Sequence, residues 1–190
     1  MLPREEWTDA ARDIFAFWEG PEARENGSRS NTMMTMAQHP QLALAVLELG
    51  KYMLIGSTLS PRHKEMVVLR VAARFSVDYE WAHHVHSARR IGMTDEEFAA
   101  LRSGGPSTIW NQADQALVDA IDQLCSTGRI DGNTWNSLAL TMDRKALMDL
   151  IYSVGFFAMN VWAVGTMDVP VEPDFAEFSK PADEMAAKLT

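Results

Sequence analysis

Between Pro61 and Ala72 the chain is polar for one turn and then almost wholly apolar, through Met66, Val67, Leu69, Val71 and Ala72. A helix with so little polar surface is one that packs on most of its sides. Ser60 stands where a helix is capped, and Pro61 where a missing N–H costs nothing. Phe75-Ser76-Val77 breaks the pattern; Asp78 is placed to cap a second helix reaching about Arg90, and Gly92 to end it. The stretch 60–92 therefore predicts a helical hairpin, and the rest of the chain is organised around it.

The flanking pattern is helical too. Ala11, Ile14, Phe15 and Trp18 recur at helical spacing within Trp7–Glu19. Residues 20–31, GPEARENGSRSN, read as an exposed loop. Thr32–Ala37 is a Met-rich turn of helix, and Leu42–Ile55 is a strongly apolar helix. Thr94 with Glu97 forms a capping box that opens a short helix to Arg102. Asn111–Cys125 carries Ala113, Ala116, Leu117, Ala120, Ile121 and Leu124 at i, i+3, i+4 spacing, and Gly128 ends that unit. Asp131 or Asn133 caps a helix through Leu140, and Asp143 a long one to about Gly165. The last stretch, with Pro170, Pro173 and Pro181, reads as irregular or loosely held. No strand alternation and no glycine-rich nucleotide loop is present, so the expected class is all-α. The expected organisation is an N-terminal helical arm over 1–30, a main domain over 31–170 and a tail over 171–190.

The candidate chemistry sits in the hairpin. Four of the five histidines fall between His63 and His86. Glu80 and His84, four apart, lie about 40° apart on one helix face with β-carbons about 5–6 Å apart. An imidazole beside a carboxylate is suited to general acid–base work, the carboxylate orienting the ring and raising its basicity. Such pairs are also common on solvated helix faces. Here the apolar helix before it makes Glu65 a candidate for partial burial at the hairpin junction, as a third relay member or a structural acceptor. His83 is a candidate substrate contact, with Tyr52 and Trp162 as candidate pocket walls. A metal cluster is disfavoured: His86 lies roughly 120° around the helix from Glu80, the HExxH order is absent, and further ligands would have to come from His63 or His39.

Composition narrows the partners. In 190 residues, 47% hydrophobic and 23% charged content fits an ordinary globule that needs no staples. Twelve Met and six Trp suggest an adaptable interior or a subunit interface. The net charge of -9 argues against nucleic acid or an anionic membrane. Cys125, the single cysteine, excludes an internal disulfide and reads as an inert packed thiol. The opening MLPREEW has no apolar leader and no apolar run approaches 18 residues, so the expected location is the cytoplasm.

The residues from Glu65 to His84, with the run YEWAHH, resemble the carboxymuconolactone decarboxylase and alkyl hydroperoxidase D-like (AhpD-like) family, strongly over roughly 30–102 and more loosely over 110–170. Redox members of that family carry a glutamate, a CxxC pair and then a histidine. Glu65 stands at the glutamate position, Val77 and Glu80 at the two cysteine positions and His84 at the histidine position. The chain thus looks like the non-redox branch. The resemblance implies an AhpD-like helical bundle with the hairpin at its centre, assembled as a trimer or hexamer. It also implies a cofactor-independent lyase or isomerase that moves protons on a small organic acid, lactone or aromatic catabolite. The alternatives are a peroxidase-like activity, against which the missing thiols argue, and a non-catalytic ligand-binding oligomer.

Overall fold

The computed structural model describes residues 1–179, and every regular element among them is helical. In chain order these are α1 (Asp9–Glu19), α2 (Ala23–Asn26), α3 (Asn31–Met36), α4 (Pro40–Lys51), α5 (Pro61–Phe75), α6 (Asp78–Arg90), α7 (Asp95–Ser103), α8 (Gln112–Thr127), α9 (Gly132–Leu138) and α10 (Arg144–Thr166). Short 3-10 segments, Arg4–Glu6 and Pro173–Ser179, lie near either end.

The apolar run of α5 has the neighbours its pattern requires. It packs against α6, α7, α8 and α10, and Met66 to Leu69 are sealed from solvent. Arg70 is the exception in that run, and it is satisfied where it lies. Its guanidinium bonds both oxygens of Asp122 at 2.7 and 2.9 Å and the Leu101 carbonyl at 2.8 Å. A buried charge survives only when paired in this way. α5 starts on Ser60, whose hydroxyl accepts from the His63 N–H. It ends at Ser76, a left-handed residue with φ 56° that turns the chain into α6. Asp78 does not cap α6. Val77 holds that position, and Asp78 lies in the first turn, where its charge still favours the helix N-terminus.

A second, smaller core joins the N-terminal helices to α4 through Ala11, Ile14, Phe15, Ala37, Ala43 and Leu47. Three readings of the chain need correction here. The stretch 20–31 holds α2, with Ala23 buried, so it is not simply an exposed loop. α4 begins at Pro40 and closes in a wider π-type turn over Tyr52–Gly56. α10 meets the length and mean hydropathy of a membrane span, although no such run was expected; just over half of its apolar stretch is buried in this fold, where it packs on α5 as a core helix. Beyond Pro170 the chain folds back, and the 3-10 segment packs on α6. Residues 180–190 of the expected tail lie outside the described residues.

Candidate active site

α5 and α6, side by side in the hairpin, bring Glu65 and His84 together: His84 Nδ1 and Glu65 Oε2 are 2.8 Å apart. Glu80, one turn before His84, places Oε2 3.6 Å from Nε2, beyond hydrogen-bonding distance. All three side chains are largely buried. Orientation of the imidazole therefore falls to Glu65 rather than to Glu80. Residues four apart on one helix project side by side, whereas a side chain from the facing helix meets the ring head-on.

Burial pushes the His84 pKa down, but the Glu65 hydrogen bond and charge, joined by the charge of Glu80, outweigh it and hold it above the ordinary histidine value. Glu80 is held above the ordinary glutamate value by burial, which the nearby His84 and His83 only partly offset. Protons on such a group of neighbours belong to the cluster more than to any one residue.

The cluster opens on a cavity of about 170 Å³. Its floor is Glu80, His83 and His84 of α6; its apolar walls include Met36, Leu47 and Phe157. Trp18 of α1 and Ser30 and Thr32 from the start of α3 close it from the N-terminal side. Gly50 also lines it, and a β-carbon there would stand 3.0 Å from the Phe156 ring, a tight contact that the missing side chain avoids.

His83 has its own carboxylate. Nε2 lies 2.6 Å from Glu172 Oε2, contributed by the segment after α10. Glu172 also accepts from the Tyr79 hydroxyl at 2.8 Å and from the Asn31 N–H at 2.6 Å. Burial raises its pKa, but these three hydrogen bonds together bring it below the ordinary glutamate range. Nothing in the sequence pointed to Glu172, an acid between prolines in a stretch read as tail. The only local signal was a charge inside the apolar run VPVEP.

The other expected residues lie elsewhere. Tyr52 does not line the cavity; its hydroxyl donates to Asp149 at 2.9 Å. Trp162 is half exposed and packs edge-on against Phe75, away from the cavity. The remaining histidines are dispersed: His39 caps α4, His63 faces Asp114 at 3.4 Å, and His86 meets Phe175 and Phe178. Cys125 packs on the main core from α8, and burial pushes its thiol pKa up.

A buried histidine between two glutamates, on a central helical hairpin that opens on a small cavity, defines an all-α protein with an acid–base site. Residues 40–122 match the model of the carboxymuconolactone decarboxylase family. Solved structures extend the likeness to nearly the whole chain. A peroxidase-related protein from Ralstonia eutropha with the alkylhydroperoxidase AhpD core aligns with a TM-score of 0.76 at 16% identity, covering 92% of each chain. An uncharacterized peroxidase-related protein from Silicibacter aligns at 0.73 and 15% identity, over 92% of this chain and 91% of the other. The debrominase Bmp8 aligns at 0.72 and 19% identity, over 94% of each. At such identities the likeness establishes the fold, an AhpD-like all-α bundle. No curated protein matches significantly in sequence.

Proposed function

We propose that the protein is a cofactor-independent, proton-transferring enzyme of the lyase or isomerase type, acting on a small carbonyl-bearing compound such as a lactone, organic acid or aromatic catabolite. The observation that carries this reading is His84, held at Nδ1 by Glu65 at 2.8 Å and facing Glu80 with Nε2, in the floor of the cavity. With its proton on Nδ1 and donated to Glu65, the ring keeps a lone pair on Nε2. That nitrogen takes a proton from substrate carbon while the electron pair moves into the carbonyl. The imidazolium so formed lies between two carboxylates, an arrangement that favours charge developing at that point. A cavity of about 170 Å³ suits a molecule smaller than a typical drug.

Support for a small-molecule reaction also comes from the neighbours, one of which is a debrominase with a structure in complex with 2,3,4-tribromopyrrole. Two of them bear peroxidase-related names. A thiol peroxidase needs a reactive cysteine, however, and Cys125 sits on α8 away from the cavity. We further propose a cytoplasmic homo-oligomer, trimeric or hexameric. Ile55, Met148, Tyr152 and Trp162 leave a large apolar area exposed on one chain.

The test compares metabolites consumed by the wild type with those consumed by His84→Ala. Loss of turnover by roughly 10²–10⁴ is expected. Adding Glu80→Ala should cost little more than the worse single change, because groups acting as a unit are not additive. Cys125→Ser should stay within about threefold of wild type, since a buried thiol of raised pKa is a poor nucleophile. Full activity in a folded His84→Ala protein would refute the assignment and leave the non-catalytic binding protein as the reading.

A further inference from the structure

We propose that His83, held by Glu172, is a second proton-transfer group on the same cavity, and that the site shifts a proton between two carbons of an uncharged, unsaturated carbonyl compound. The inference rests on the proposed function and names its reaction and substrate class.

His83 and His84 are consecutive on α6 and both line the cavity. Each ring meets a carboxylate from a different segment, and the carboxylates take opposite nitrogens: Glu65 faces Nδ1 of His84, and Glu172 faces Nε2 of His83. A carboxylate opposite one ring nitrogen places the N–H there and leaves the lone pair on the other. Nε2 of His84 and Nδ1 of His83 are thus the two nitrogens left for proton transfer. Among the described residues, Nδ1 of His83 has no hydrogen-bond partner. The ring is fixed in its plane as well, stacked between Tyr79 at 4.6 Å and Phe175 at 4.0 Å.

Charge selects the substrate. Glu80 lines the cavity, Glu65 and Glu172 stand behind the two rings, and no Lys or Arg is among the lining residues described. A substrate carboxylate would leave water for a site that has no Lys or Arg to receive it and whose two imidazoles are already faced by Glu65, Glu80 and Glu172, at a large cost that an uncharged molecule avoids. One polar group remains for a carbonyl oxygen: the hydroxyl of Thr32, which lines the cavity, is buried and has no hydrogen-bond partner.

The reaction then balances without a co-reactant. Nε2 of His84 takes the proton from the carbon between the carbonyl and the double bond. The electron pair moves into the carbonyl, and the oxygen of the resulting dienolate accepts from Thr32. His83, protonated on Nδ1, delivers its proton to the far carbon, and the double bond moves into conjugation. One proton leaves the substrate and one arrives; nothing is oxidised. Exchange with water resets the two imidazoles.

The probe is a β,γ-unsaturated cyclohexenone. Its isomerisation to the conjugated ketone is followed by ultraviolet absorbance, and exchange of the proton on the intervening carbon by NMR in deuterium oxide. The wild type is expected to catalyse both, and His84→Ala neither. His83→Ala, and His83→Phe, which keeps a ring between Tyr79 and Phe175, should lower isomerisation about 10²-fold or more, at least tenfold further than either lowers exchange. Glu172→Gln, a positioning change, should lower isomerisation more than exchange and shift the ring-nitrogen resonances of His83. Isomerisation kept within about tenfold in folded His83→Phe, or exchange and isomerisation falling in parallel, overturns the proposal. Wild-type exchange without isomerisation overturns it too and leaves the His84 reading standing, whereas absence of both overturns the two together.

Discussion

Replacing Glu65 with Gln keeps an amide oxygen to accept from Nδ1–H of His84 and removes the charge. At 2.8 Å a unit charge against an imidazolium amounts to about 6 kcal/mol at an effective dielectric constant near 20, and about 1.5 kcal/mol in water. Desolvation cancels much of the larger figure, and hydrogen bonds to charged groups contribute about 1.5–3 kcal/mol net. If that difference is felt when the imidazolium forms, kcat falls roughly 10- to 150-fold. The sign of the pH effect follows from the raised pKa of His84. The base form appears only as pH rises through that raised midpoint, so without the carboxylate the acid limb of kcat/KM moves to lower pH. Stability follows the same linkage. The contribution of the pair is complete below the unfolded histidine value of about 6.5 and is lost as pH rises through the folded midpoint. Glu65→Gln should therefore lose most Tm, relative to wild type, at pH 6 and below, and least in alkali. NMR titration of the histidine ring protons gives the midpoint without a substrate. A His84 midpoint that stays in place, or moves to higher pH, in the variant refutes the reasoning.

Glu80→Gln should raise Tm at alkaline pH and lower turnover. Burial disfavours the Glu80 charge, so the gain should vanish below the unfolded glutamate value of about 4.3, where the native side chain is itself protonated; thermal unfolding across pH checks it. Gly104→Ala should cost about 3 kcal/mol or more, lowering Tm by roughly 6–12 °C. Gly104 has φ 69°, and a β-carbon there would meet the buried Arg70 guanidinium, whereas at Gly105, φ 75°, it would meet nothing. Equal losses in Gly104→Ala and Gly105→Ala would disprove that account. Light scattering should return a multiple of 21.2 kDa, three or six, and the mass of one chain at micromolar concentration would rule out assembly.

Much of the fold is legible in the chain because its signals are local. Ser60, Asn111, Asp131 and Asp143 cap helices as their types predict, and Thr94 with Glu97 closes a capping box. The apolar run of α5, interrupted only by Arg70, announces a helix enclosed by others, and four helices pack on it. Spacing along α6 is enough to set Glu80 and His84 on one face. Local signals fail where tertiary contact competes. Tyr52 and Trp162, aromatics on apolar helices, look like pocket walls, yet one points to Asp149 and the other to Phe75.

What the sequence by itself determined is the longer helices, the hairpin at their centre and the presence of an acid–base pair within it, all fixed by neighbours within a few positions. The tertiary structure decided which carboxylate holds which imidazole. Glu65 reaches His84 from 19 positions earlier, and Glu172 reaches His83 from 89 positions later. Hydrogen bonding depends on tenths of an ångström between elements, and no periodicity records that distance. The closure of the cavity by Trp18 and Thr32 likewise exists only once the N-terminal helices have buried Ile14 and Phe15 against α4.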